Sequence, residues 1–282
     1  MKRSTKWLIG IIVVVVIVIA GFFSFGGSLG GKKAAQTVTV GRVAPSKGDE
    51  AIWKVIKKTA KDKYNVNIEF KDFTDYVQPN KALQNGEIDL NAFQTQQYLN
   101  VWNKTYPKST IVSIGNTIVT PLRLYSQKVK SVKDLKNGAT IVIDNDAANQ
   151  ARSLELLQTA GLIKLNNKVA TPTPTDITSN PKHFKITPID SNQTARQLSS
   201  VDAAIVNGGF ALAAKVPSKY TIFTEPLNKT NAQYFNIIAA TKKNKNKQAY
   251  KDVVKAYQTK AVKKAITKAY GEIERSAWDV KF

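Results

Sequence analysis

The chain has 282 residues, with 42 Lys+Arg against 20 Asp+Glu (net charge +22), one His and no Cys. Without cysteine it has no disulfide framework, thiolate metal site, iron–sulfur cluster or Cys nucleophile, and one imidazole cannot build a multi-histidine metal site. A hydrophobic share of 43% with 9% aromatics is ordinary globular content, so the charge signals a basic surface, open to nucleic acid, anionic lipid or a wall polyanion, and not disorder.

Lys2, Arg3 and Lys6 precede an uncharged apolar run, Trp7–Phe25. It is close to the ~20 residues a bilayer-spanning helix needs and longer than the ~7–15-residue core of a cleaved signal peptide. Residues 1–25 therefore read as an uncleaved signal anchor, a transmembrane helix with its N-terminus in the cytoplasm. Lys32 and Lys33 beyond it blunt that orientation bias. Cleavage among the small residues of GGSLGG would instead release the protein. Residues 26–36 read as a flexible spacer, and the remainder faces outward from the cell membrane.

From Thr37 strands alternate with helices. Thr37–Val43 is a strand, and a helix over GDEAIWKVIKKTAKDKY follows behind a Ser46-x-x-Asp49 capping pattern. Asn67–Phe70 and Ile88–Phe93 read as strands, separated by a short helix from Pro79 to Gly86. Tyr98 and Trp102 share one face of the next helix, and Ile111–Ile114 and Thr117–Tyr125 are apolar or β-branched runs. A second series runs through Ala139–Ile143, a helix to Gly161, a long loop Leu165–Lys182, Phe184–Ile189, a helix Gln193–Leu198, and Val201–Val206. Strands at Thr221–Phe223 and Tyr234–Ala240 and a long helix Gln248–Ala269 complete it. The alternation predicts an α/β fold with mainly parallel sheets. The predicted lobes are residues 37–119 plus 232–282 and residues 120–231, with a ligand cleft between them.

Three segments bring chemistry to strand ends. Tyr76, Phe93 and Tyr98 can line a small apolar cavity or be ordinary core. Asn149 and Arg152 share a face in the first turns of a helix. The free N–H groups and positive dipole end there suit an anion, and Arg152 can grip a carboxylate with two donors, although a solvated Arg fits that segment too. Asn207 ends a strand and Asn236 lies within one, where Asn is depleted unless its amide is used. Neither a nucleophile motif, a Walker loop, a G-x-G-x-x-G nor an HExxH occurs in the chain, so no enzyme activity and no cofactor are expected. Glu87 and Asp89 read as surface charge and His183 as solvated.

At DYVQPNKALQNGEIDLNAFQ, NDAANQARSLELLQTAGLIKL, DAAIVNGGFA and FTEPLNK–NAQYFNII the sequence resembles the NlpA/MetQ family, methionine-binding proteins of bacterial ABC importers. The resemblance implies a type II periplasmic-binding-protein fold whose two lobes close on an amino acid. It places Tyr76, Phe93 and Tyr98 around the methionine side chain with Thr95 at a further pocket position, Arg152 on the α-carboxylate with Asn149 beside it, and Asn207 and Asn236 at the head group. It further implies L-methionine or a close analogue as ligand, and a monomer delivering it to an ABC permease and indirectly to its ATPase. Three departures stand out. The family's lipid-bearing Cys is missing, Thr95 replaces a frequent His, and Gly209-Phe210 replaces the usual residues of the asparagine motif. Another amino acid or a Met-containing dipeptide is therefore an alternative ligand. A basic surface protein binding polyanions is the alternative function, although no nucleic-acid module is present.

Overall fold

The computed structural model describes residues 34–271 and 273–281. The expected transmembrane helix Trp7–Phe25 lies outside those residues, and among the described residues no helix is long and apolar enough to cross a membrane.

The chain enters through β1 (Gln36–Val43), α1 (Lys47–Tyr64) and β2 (Val66–Phe73), then α2 (Gln78–Asn85), β3 (Leu90–Asn91), α3 (Gln96–Thr105), β4 (Ile111–Asn116) and β5 (Ile118–Val119). It crosses to β6 (Arg123–Tyr125), β7 (Thr140–Asp144), α4 (Ala147–Thr159), the short β8 (Lys164–Leu165) and β9 (Ile177–Ser179), and β10 (Lys185–Ile189). Then come α5 (Ser191–Gln197), β11 (Ala203–Val206), α6 (Gly208–Ala213) and β12 (Thr221–Thr224). It returns through β13 (Ile237–Thr241), α7 (Gln248–Tyr257), α8 (Lys260–Tyr270) and β14 (Arg275–Ser276).

Two five-stranded sheets result, ordered β2-β1-β3-β13-β4 and β10-β7-β11-β6-β12. Each is mixed, which corrects the expectation of mainly parallel sheets. β1 runs parallel to β2 and β3, while β13 is antiparallel to β3 and β4. β7 runs parallel to β10 and β11, while β6 is antiparallel to β11 and β12. The antiparallel strands β6 and β13 are those by which the chain arrives from the other sheet, so no helical crossover within the sheet fixes their direction.

Local chemistry explains the element ends. Ser46 and Asp49 make the expected capping box, with Ser46 Oγ accepting the Asp49 N–H at 3.2 Å and Asp49 Oδ2 accepting the Ser46 N–H at 2.8 Å. The helix predicted over Gln248–Ala269 is in fact two. Gln258 leaves helical backbone, and Thr259 caps α8 by accepting the Val262 N–H. The predicted loop 165–182 contains β9, which pairs with β8 where the loop begins. The apolar faces of α1, α7 and α8 cover the first sheet through Trp53, Ile56, Val253, Val262 and Ile266. Leu154, Leu157, Ile141, Ile143 and Ile205 form the core beside the second. Each lobe thus buries a core of its own, and the polar strand ends are left to meet between them.

Candidate ligand-binding site

The parallel strands β1, β3, β7 and β11 end at Val43, Asn91, Asp144 and Val206, and the residues that follow them border one cavity of about 120 Å³. That is room for a small molecule and not just one or two waters, placed where open α/β sheets hold ligands. Tyr76, Phe93, Thr95, Tyr98, Asn149, Arg152, Asn207 and Asn236 all line it.

One wall is aromatic. Tyr76 and Phe93 stack with ring centres 5.7 Å apart, and Tyr98 sits edge-on to both at 5.9 and 6.0 Å. Phe210 from the second lobe backs Tyr76 at 5.0 Å. The Tyr98 hydroxyl donates to the Tyr76 main-chain carbonyl at 3.1 Å, which orients the Tyr98 ring and holds the backbone that carries Tyr76. Thr95 is the N-cap of α3, accepting the Tyr98 N–H at 3.1 Å. Its hydroxyl holds the helix start, a task a His side chain performs less well.

Beneath this wall lies a group of amides that sequence reasoning missed. Asn80, Asn91 and Gln94 are fully or almost fully buried. Gln94 Nε2 donates to Asn80 and Asn91 at 2.8 and 2.9 Å, Asn91 donates to Asn80 at 2.9 Å, and Asn80 donates back to Gln94 at 3.1 Å. This closed network anchors the turn that projects Phe93. It also shortens the predicted strand Ile88–Phe93 to Leu90–Asn91, because Phe93 turns out of the sheet toward the cavity.

The polar wall departs from the sequence expectation in three ways. Arg152 is 4% exposed, so it is no surface residue. Its fork is already filled: Nε and Nη2 donate to the two Glu225 oxygens at 3.0 and 2.5 Å, and Nη2 also reaches the Thr120 carbonyl at 3.1 Å. The guanidinium stacks on Tyr234 at 4.2 Å. Nη1 is left to serve a ligand in place of the expected two-donor grip. Secondly, the N-terminus of α4 is capped by a carboxylate of the chain itself, with Asp146 accepting from the Asn149 N–H and Nδ2, both at 2.9 Å. The expected anion position is therefore occupied. Thirdly, Asn236 precedes β13 instead of lying within it, and forms an isolated antiparallel bridge with Thr95. Its position thus depends on the aromatic wall.

Asn207 Nδ2 donates to Asp144 at 2.7 Å, and Asp144 also accepts the Ser153 hydroxyl at 3.1 Å. Asn149 and Asn207 each commit one side-chain N–H to a carboxylate, which leaves the amide oxygen and the second N–H to offer a ligand. Burial, with the Asp146 charge adding to it, raises the Asp144 carboxyl to about 7. Other lining residues lay outside the sequence reading. Arg42 is held by Asp72 and Glu50, with Nη1 buried and unpartnered; Glu274 leaves Oε2 buried and unpartnered; Gln94 joins the amide group. Among the described residues no group of His, Cys, Asp and Glu can hold a metal ion.

The sequence profile of the family described as NlpA lipoprotein matches residues 38–278. The chain belongs to the NlpA lipoprotein family. Within it, a probable D-methionine-binding lipoprotein MetQ of Vibrio cholerae is 40% identical over 245 residues, 85% of this chain and 88% of that protein. A nutrient-binding protein from Burkholderia cenocepacia, solved bound to methionine, is 42% identical with a TM-score of 0.80, covering 85% of this chain and 99% of that one. The substrate-binding protein of a methionine transporter from Streptococcus pneumoniae gives 42% identity and a TM-score of 0.81, covering 86% and 96%. The two solved proteins share the two-lobed α/β fold of this chain, and all three are named for binding or transport, not for a reaction.

Proposed function

We propose that this chain is an extracytoplasmic substrate-binding protein that captures methionine between two lobes and delivers it to an ABC importer. The observation that carries this reading is the convergence of three packed aromatic rings, the buried Arg152 and three Asn side chains on a single cavity. The ring wall takes the flexible thioether chain, and sulfur–aromatic contacts add to it. Arg152 Nη1 meets the α-carboxylate, and the amide oxygens of Asn149 and Asn207 suit the ammonium. Asn236 completes the head-group set. No bond is made or broken.

In this reading the lobes are residues 37–119 plus 232–282 and residues 120–231, and the ligand-bound monomer docks on its permease. The run Trp7–Phe25 tethers the domain, since the sequence contains no Cys to carry a lipid. Membrane fractionation of the full chain, against one lacking residues 1–33, tests the tether.

The ligand is tested by calorimetry and thermal shift on protein unfolded and refolded to strip bound molecules. The panel holds L- and D-methionine, other amino acids and Met-containing dipeptides. Free methionine at ~100 Kd should add about 2.7 kcal/mol of stability. A flat response to both enantiomers overturns the reading.

A further inference from the structure

Glu274 borders the same cavity just ahead of β14 and is 3% exposed. Its Oε1 accepts the Thr120 hydroxyl at 3.0 Å, but Oε2 is buried with no hydrogen-bond partner. Buried carboxylate oxygens without a donor are rare because desolvation is then uncompensated, so each asks for an explanation. Thr120 supplies the context: its carbonyl takes Arg152 Nη2 at 3.1 Å while its hydroxyl takes Glu274. One residue is thus bonded to a guanidinium and to a carboxyl group that both line the cavity. Gly208, next to Asn207, closes on this pair so tightly that a Cβ there would lie 2.2 Å from Thr120 Cγ2 and 3.8 Å from Glu274 Oε1.

We propose that Glu274 is a specificity-determining ligand contact, its free Oε2 accepting a hydrogen bond from the α-ammonium of the captured amino acid. The inference rests on the amino-acid reading above. It gives the cavity a charged partner for each end of a zwitterion: Arg152 Nη1 for the carboxylate, and Glu274 with the Asn149 and Asn207 amide oxygens for the ammonium. The groups facing Glu274 are Asp49 from α1, Arg123 from β6, and the Tyr257 and Tyr270 hydroxyls of α7 and α8. Burial, with Asp49 adding to it, raises the carboxyl to about 8 against the opposing pull of Thr120 and Arg123. The empty site therefore holds a proton near neutral pH, and an arriving ammonium displaces it.

The test compares wild type with Glu274→Gln, using methionine, whichever enantiomer binds better, and its desamino analogue 4-(methylthio)butanoate. Glu274→Gln should weaken methionine by 10-fold or more and leave the desamino analogue within about 3-fold. Equal losses for both ligands, or no loss for methionine, overturn the proposal. Should Glu274→Gln not fold, wild type alone decides through calorimetry at pH 7 in phosphate and in Tris. Methionine should release a proton and the desamino analogue should not; identical proton counts for the two overturn the proposal. Wild type that binds no amino acid at all overturns the underlying reading, and the inference with it.

Discussion

Arg152 and Glu225 lie fork to fork in the cavity wall, joined at 3.0 and 2.5 Å and each less than a tenth exposed. Glu225 Oε2 also accepts the Leu122 N–H at 3.0 Å, so the carboxylate ties α4 to the segment where the chain crosses between sheets. The guanidinium is oriented before any ligand arrives. What it can give a carboxylate is one charge-assisted hydrogen bond from Nη1, and two if Thr120 yields.

Removing either partner leaves a buried charge alone. Arg152→Ala and Glu225→Ala should each lower unfolding free energy by about 3–5 kcal/mol. The double variant should lose clearly less than the sum, because the orphaned charge is gone. Urea unfolding of the four proteins checks the cycle. Methionine binding should be lost in Arg152→Ala and weakened in Glu225→Ala, where the arginine survives but is no longer aimed.

The aromatic wall should carry side-chain affinity without head-group discrimination. Phe93→Ala removes a half-buried ring stacked on Tyr76 and should weaken methionine by roughly 1.5–3 kcal/mol. Alanine, which does not reach the rings, should bind no worse to the variant than to wild type. Equal losses for both ligands would place Phe93 in structural support.

Asn80 is fully buried, and its side chain bonds both Gln94 and Asn91. Asn80→Leu leaves amide groups of those two residues without partners, at about 1–3 kcal/mol for each group. The expected result is a stability loss of that order together with weaker methionine binding, although residue 80 does not line the cavity. Calorimetry on the folded fraction separates the two effects.

Buried carboxyls shape the pH response of the protein, Asp144 and Glu274 among them. Burial raises Asp144 to about 7 and Glu274 to about 8, from ordinary values of 3.8 and 4.5. Between the ordinary and raised values the native state holds protons that the unfolded state has released. Stability therefore falls as pH rises through this window, by up to about 1.4 kcal/mol per pH unit for each group. Unfolding curves from pH 5 to pH 9 should show the decline, and Glu274→Gln should flatten its upper half.

How much of this was legible in the sequence follows from what each residue answers to. The elements announced themselves where the signal is local: Ser46 and Asp49 marked the start of α1, and Gly86 and Gly161 marked helix ends. Tyr76, Phe93, Asn149 and Asn207 were legible as candidates because they cluster in segments that follow strands, where ligands of open α/β sheets lie. The direction of β6 and β13 was not legible, since it depends on which sheet the chain has come from. The break at Gln258 was hidden beneath an apolar period that continues across it. Glu225 sits inside one of the segments carrying the family resemblance, but its partner Arg152 is far away in sequence. Asn80, Arg42 and Glu274 looked like ordinary polar residues, because only tertiary packing buries them.

Gly208 gives the most direct check on how tightly the cavity wall packs around Thr120. A Cβ there falls 2.2 Å from Thr120 Cγ2 and 3.3 Å from Thr120 Cβ. Thr120 is β-branched, and its hydroxyl is held by Glu274, so it cannot rotate away without breaking that bond. Gly208→Ala should therefore cost about 1–3 kcal/mol of stability and weaken methionine binding as Thr120, Arg152 and Glu274 shift together. Thr120→Ser deletes the clashing methyl and keeps the hydroxyl. The double variant should recover most of both losses, measured by urea unfolding and calorimetry. A double variant no better than Gly208→Ala would mean that the tight contact lies elsewhere.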